Sequence, residues 1–364
     1  MKHIILPSAR QILLLPFLLF PFFVMAQTQL EKFVPGSTVE GVSYYLPRTA
    51  LRIVVRAEKK VVLPGDFHMY AFKYMRMQDV PVRSTTTWTV KGIDMLPYGV
   101  PDSAKAYSIK LKDRTVAPLV TLSPDGLLLA VNAETAQETL PAVPESGVLS
   151  KPILPEQVRS YMNREMLQAS SVAKMAELVA REIYDIRESR DALVRGEADN
   201  TPKDGEQLRL MLDNLDAQQK ALMSLFVGTT EVSEEYYVLE VLPSDQTDKE
   251  LLFRFSRWTG LVDADDMSGV PFYMSVKTMD PLPEPSEDAK VQEKKGKMLR
   301  ALYYNVPVRT EVKVFDAHRE YVSMEIPMAQ FGCQEILSGV LFDKMASTKV
   351  TFYQSTGGIK QISE

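Results

Sequence analysis

Apolar positions along this chain change period twice. Between residues 38 and 131 they alternate with polar ones. Within Lys105 to Lys112, Tyr107, Ile109 and Leu111 share one face, while Ala106, Ser108, Lys110 and Lys112 share the other. Thr86 to Asp94 alternates in the same way, and Ala50 to Arg56 mixes β-branched residues with charge on alternate positions. A period of two belongs to a strand with one buried and one wet face. Pro64-Gly65 and Pro101-Asp102 read as turns. After the first of these, Asp66 is placed to cap a short helix carrying Phe67, Tyr70, Tyr74 and Met77 on one side.

From Val172 the spacing becomes three and four, at Met175, Ala176, Val179, Ile183, Ile186 and Leu193, which is one stripe of an α-helix. Gly196 stops it, a polar loop follows to Gly205, and a second stripe runs through Leu208, Met211, Leu212, Leu215, Leu222, Leu225 and Phe226 to Gly228. Two stripes joined by a short loop predict an antiparallel helical hairpin, with a first arm about 36 Å long at 1.5 Å per residue. Strand character returns from Thr230 and fills 236–242, 251–257, 271–276 and 300–362. Residues 141–155, with four prolines, read as a surface linker, and 281–297, Pro-rich and then charged, as a connector.

These periods predict an α+β fold, with two β-rich, sandwich-like lobes flanking the hairpin. The first 26 residues stand apart. Lys2 and Arg10 precede an apolar run from Ile12 to Val24, and Val24 and Ala26 give the small-residue pattern of a signal-peptidase site, with Gln27 as the mature start. The run is too short and too interrupted by Pro16 and Pro21 to span a bilayer. The expected division is a signal peptide at 1–26, an N-terminal β-rich lobe at 27–148, linker and hairpin at 149–229, and a C-terminal β-rich lobe at 230–364. Export to the periplasm, the cell surface or the medium follows from that leader, and no later transmembrane segment is expected.

Removing the leader leaves 40 basic against 47 acidic residues, a net charge of −7 that argues against a nucleic-acid partner. Cys333 is the one cysteine, so an internal disulfide is impossible and the residue reads as a small buried apolar side chain. Only His68 and His318 remain after the leader, which limits histidine-based catalysis and zinc binding. The two β-rich blocks also echo each other. Tyr44 to Val55 lines up with Tyr303 to Phe315, Val120 to Gly126 with Val350 to Gly357, and Phe253 to Gly260 follows the same strand–turn–strand plan. The slight preference is a duplicated β unit; short hairpins that match by chance are the alternative.

No nucleophile elbow, phosphate loop or zinc-protease motif occurs, and no metal or cofactor is expected. Arg190 interrupts the apolar stripe of the first helix and calls for a carboxylate; the expected partner is Asp213 on the facing arm or another acidic neighbour, with an anion or carboxylate ligand site as the alternative. The loop residues Glu197, Asp199, Asn200, Lys203 and Asp204 form a candidate partner contact at the hairpin tip, with Asp204 also placed to cap the second helix. Their spacing fits no EF-hand, and neither does Asp263-Ala-Asp-Asp266, which reads as a solvated turn. The aromatic set Phe67, His68, Tyr70, Phe72 and Tyr74 reads as core before it reads as a sugar platform.

Several of these stretches together resemble a known family. Tyr44-Tyr-Leu-Pro, Pro97 to Asp102, Ala117 to Leu122, Lys174-Met-Ala-Glu177, Ile183 to Arg190, Gly196 to Gly205, Leu225 to Thr230, Ala329 to Gly332 and Lys349 to Phe352 resemble exported Bacteroidetes proteins grouped as domain of unknown function 4831. The resemblance implies export in an envelope-rich bacterium and carries no activity and no catalytic residues. The residues favour a non-catalytic cell-envelope protein that binds a protein or glycan, with self-association through the hairpin as a further reading. The alternative is a hydrolase of envelope polysaccharide or peptide that works with a carboxylate pair.

Overall fold

The longest alternation in the sequence becomes the longest strand pair. In the computed structural model, which describes residues 29–32, 41–110, 120–199, 202–287, 289, 298, 299, 301–338 and 348–363, strands β2 (Gly41–Leu63) and β3 (Thr85–Lys110) run antiparallel from Gly41↔Lys110 to Val62↔Thr85. Leu51, Ile53, Val55 and Ala57 of β2 are completely buried on one face, while Arg52 and Arg56 take the other. Each such aliphatic side chain removed from water contributes about 1.5–3 kcal/mol. Strand β7 (Thr229–Val241) adds to the free edge of β2, from Leu51↔Val241 to Leu63↔Thr229. Strands β1 (Gln29–Lys32), β6 (Gly147–Ser150) and β11 (Met298–Leu299) complete a six-stranded sheet in the order β11-β1-β3-β2-β7-β6.

A second sheet holds five strands. β12 (Ala301–Phe315) and β13 (Glu320–Ser338) form its long hairpin, and β10 (Val270–Thr278), β8 (Thr247–Ser256) and β9 (Gly260–Val262) follow on the other edge of β12. Its Phe253, Phe255, Phe272, Met274, Val312 and Met328 meet the buried faces of β2 and β3 in one core. A third, four-stranded sheet has the order β15-β14-β5-β4, formed by β4 (Val120–Leu122), β5 (Leu128–Val131), β14 (Lys349–Phe352) and β15 (Ile359–Ser363).

The two β-rich blocks of the sequence are therefore not separate bodies on either side of the helices. β7 completes the sheet of β2, β14 pairs with β5 through Val350↔Val131, and sheets and cores cross the positions 148 and 229. The physical reason is edge satisfaction: a two-stranded hairpin leaves unpaired N–H and C=O groups on both sides, and strands from the distant block cover them.

The aligned stretches of the two blocks share one contact. The carbonyl of Gly126 accepts the N–H of Tyr45 at 2.9 Å, and the carbonyl of Gly357 accepts the N–H of Asn305 at 3.1 Å. Register slips beside both contacts, next to Pro47 in β2 and at Pro307 in β12; proline has no N–H to offer a ladder. The two strands also touch directly, since the fully buried hydroxyl of Tyr44 accepts the N–H of Tyr303 at 3.1 Å.

Helices α3 (Val172–Arg195) and α4 (Gly205–Val227) follow two short ones, α1 (Pro155–Ser160) and α2 (Arg164–Leu167). Ser171 caps α3 and Asp204 caps α4; Gly196, at φ 73°, and Gly228 end them. Ala176, Val179, Ile183, Ile186, Leu222 and Phe226 share a third core with Phe67, Ala71, Met75 and Met166. The segment between β2 and β3 is a 3-10 turn at 68–70 followed by a π-helical turn at 71–75, and no side chain caps it. The expected Asp66 cap is absent: the chain enters this segment with the Phe67 N–H bonded to the Leu225 carbonyl at 2.7 Å, and Phe67, Ala71 and Met75 are buried in the third core. Cys333 is half-buried and free; the expectation of a fully buried side chain does not hold, since it lies in the outermost strand of the second sheet. Among the described residues no helix is long and apolar enough to cross a membrane.

Candidate functional site

Arg190 does find a carboxylate across the helix pair, but it belongs to Asp216. Arg190 Nε lies 2.8 Å from Asp216 Oδ1, with 40% and 52% of the two side chains exposed. Asp213 instead faces Arg209 on its own helix at 3.7 Å, and its side chain is 66% exposed. The three-residue offset is one helical turn. The same register brings the Arg187 guanidinium to 3.8 Å from the Sδ of Met223. A pair this exposed contributes about 0–1 kcal/mol.

Of the loop residues, Glu197, Asp199 and Lys203 are exposed. Asp204 is spoken for, its Oδ1 accepting the Glu206 N–H at 3.0 Å. Asn200 lies outside the described residues. Among those described, no three histidine, cysteine, aspartate or glutamate side chains are grouped to hold a metal ion. Asp266 accepts the Ser268 N–H at 2.8 Å, a turn contact.

The structure brings together a cleft at one end of the sandwich that no local spacing in the sequence signals. Residues 87–90 of β3, Phe255 of β8 and Arg257 just after it, Val270 and Phe272 of β10, and Asp316, His318, Arg319 and Tyr321 around the β12–β13 turn line about 380 Å3. Trp88, Phe255 and Phe272 form a buried floor. Phe253 stacks on Phe272 at 4.5 Å between centroids, and Tyr321 lies 5.0 Å from Phe272. Two hydrogen bonds tie the cleft's walls across the sheets: Trp88 N–H to the Arg257 carbonyl at 2.7 Å, and the Arg319 guanidinium to the Val90 carbonyl at 3.0 Å.

One carboxylate lines this cleft, and it is fully engaged. Asp316 Oδ1 accepts the N–H groups of His318 and Arg319 at 2.7 and 2.8 Å, and Oδ2 accepts the Tyr321 hydroxyl at 3.1 Å. Burial pushes this carboxyl up, but those three donors together hold it below the ordinary aspartate value. A depressed folded-state value means stability that is present above the unfolded pKa and is lost as pH falls through the folded one. Acidification below the ordinary aspartate range is thus expected to loosen the 316–321 turn, and Asp316→Asn to remove that part of the acid dependence. Amide exchange at His318 and Arg319, followed against pH, checks it; an identical profile in the variant contradicts it.

A second cleft, of about 480 Å3, is lined by Tyr98, Asp125, Gln137, Glu138, Leu140 and Gln354 among others. Its Glu138 is paired with Lys360 Nζ at 3.0 Å.

A family model described as domain of unknown function (DUF4831) matches residues 40–360. No curated protein and no solved structure matches the chain. The family match takes in both long helices, both clefts and every strand except β1 and the end of β15, and the chain belongs to the DUF4831 family.

Proposed function

We propose that this chain is an exported cell-envelope protein that binds a protein or glycan partner and performs no chemistry on it. The observation that carries this reading is the make-up of the cleft between β3 and the β12–β13 turn. It offers an apolar floor and a polar rim, as ligand sites do, while both oxygens of its one carboxylate already accept hydrogen bonds from their own turn. In this reading α3 and α4 act as an antiparallel hairpin that presents Glu197, Asp199, Asn200, Lys203 and Asp204 as a second contact surface, and the leader at 1–26 directs export.

The test is retention of an envelope component by the immobilised protein, compared with a Val270→Trp variant that fills the cleft and a variant with residues 197–204 replaced by glycine and serine. Loss in the first variant assigns the cleft, and loss in the second assigns the loop. Unchanged retention in both removes both assignments. The carboxylate hydrolase keeps one specific observation in its favour, the shared cleft of Asp125 and Glu138. Turnover of envelope polysaccharide or peptide that Asp125→Asn abolishes would replace the binding reading.

A further inference from the structure

We propose that the cleft lined by Trp88, Arg257 and Arg319 takes a carboxylate carried on an apolar body, the chemistry shared by the C-terminal residue of a hydrophobic peptide and by a free aliphatic acid. The inference rests on the cleft being the binding site.

The charge on the rim is the first argument. Two guanidiniums, Arg257 and Arg319, line the cleft with His318 against the single carboxylate of Asp316, in a chain whose net charge is −5. Among the described residues neither arginine has a carboxylate within ion-pair distance. Both oxygens of Asp316 already accept hydrogen bonds from its own turn, and neither lies within ion-pair distance of the two guanidiniums. Arg319 is held in place, with one nitrogen on the Val90 carbonyl and its plane 4.0 Å from the Tyr321 ring centre. Arg257 lies 5.4 Å from the ring centre of Trp258, which is 61% exposed beside the rim. A guanidinium held as Arg319 is held is preorganised to hydrogen-bond a carboxylate, and the exposed Arg257 adds a second positive charge at the rim.

The second argument decides what the anion is attached to. A sugar ring binds by stacking on an open aromatic face, and the lining rings Trp88, Phe255 and Phe272 are buried, while Trp258 beside the rim carries the Arg257 guanidinium over its exposed ring. Tyr321 has Arg319 on one side and Phe272 at 5.0 Å. Trp88 has Lys59 5.1 Å from its ring centre, and a Cβ placed on Gly260 would sit 3.3 Å from its ring carbons, so the glycine backbone packs there. Beside those rings the cleft is lined by the aliphatic Val90 and the half-exposed Val270. An alkyl or aryl group needs only that apolar volume, and about 380 Å3 holds one such side chain with its carboxylate.

Titration calorimetry on the purified protein tests this with four probes: an alanine-rich pentapeptide ending in leucine, the same peptide with a C-terminal amide, N-acetyl-leucine, and the neutral disaccharide cellobiose. The acid peptide is expected to bind at least tenfold more tightly than its amide. Arg257→Gln is expected to bring the acid peptide down to the amide's level while leaving the circular dichroism unchanged. N-acetyl-leucine binding as tightly as the peptide makes a free acid the source of the carboxylate; weaker binding makes it the peptide terminus. Equal affinity for acid and amide, or tighter binding of cellobiose, overturns the anion inference and leaves the cleft as a site. If no probe binds while the Val270→Trp variant still loses the envelope component, the inference fails alone; if that component is retained, the cleft reading fails with it.

Discussion

Gly228→Ala is expected to destabilise the protein by roughly 3 kcal/mol or more, because two costs fall on one atom. Gly228 stands at φ 79° and ψ −171°, a region open only to glycine. An added Cβ would also run into the carbonyl oxygen of Leu63 and lie 3.1 Å from the nitrogen of Gly65. Both neighbours are backbone and cannot swing aside. The crossing is tight from the other side as well, since a Cβ on Gly65 would collide with the Leu225 carbonyl. Two controls separate strain from space. Gly196 has φ 73° but nothing within 4 Å, so Gly196→Ala should cost only the left-handed penalty of about 1–2 kcal/mol. Gly205 has neither a positive φ nor a neighbour within 4 Å, and Gly205→Ala should be neutral or stabilising by about 0.4–1 kcal/mol. Urea midpoints at constant m-value measure all three. Equal losses for Gly228→Ala and Gly196→Ala would mean that the end of β2 does not abut the end of α4.

Phe226→Ala is the second large effect, a loss of about 3–5 kcal/mol. Phe226 is completely buried where α4 meets the segment that interrupts β2 and β3, its ring 5.5 Å from that of Phe67. Truncation leaves a void lined by Ile183, Leu222 and Ala71, which belong to three different elements and cannot collapse together. A cycle with Phe67→Ala should show a coupling of about 0.5–1.5 kcal/mol. Strict additivity, or a single-variant loss below about 1 kcal/mol, would show that the helices are not fastened to the sheets through this cluster.

The local parts of the structure were legible because their causes are local. Gly196 and Gly228 stop helices through backbone freedom, Asp204 caps one with its own carboxylate, and Ile183 and Ile186 fall on the buried stripe that their spacing dictates. Period two likewise told which face of β2 would be covered. It is silent on who covers it, since alternation fixes a face and not a neighbour. That is why the pairings Leu51↔Val241 and Val350↔Val131 were not foreseen, and why two lobes were expected where cores are shared. The partner of Arg190 was displaced by one turn for a related reason: the stripes fix a face of each helix and not the axial register between the two. The site was the least legible part. Trp88, Arg257, Asp316 and Arg319 come from three stretches far apart in the chain, and none is remarkable in its own neighbourhood.

The interleaving of the sheets also bears on how the molecule comes into being. β2 is laid down early, yet one of its edges stays bare until residues 229–241 exist, and β5 awaits residues 350 and 351. Contacts so distant in sequence make for slow acquisition of structure, with loop closure preceding any reward. A nascent chain therefore carries bare strand edges, open to wrong pairing, until residues 350 and 351 have been made.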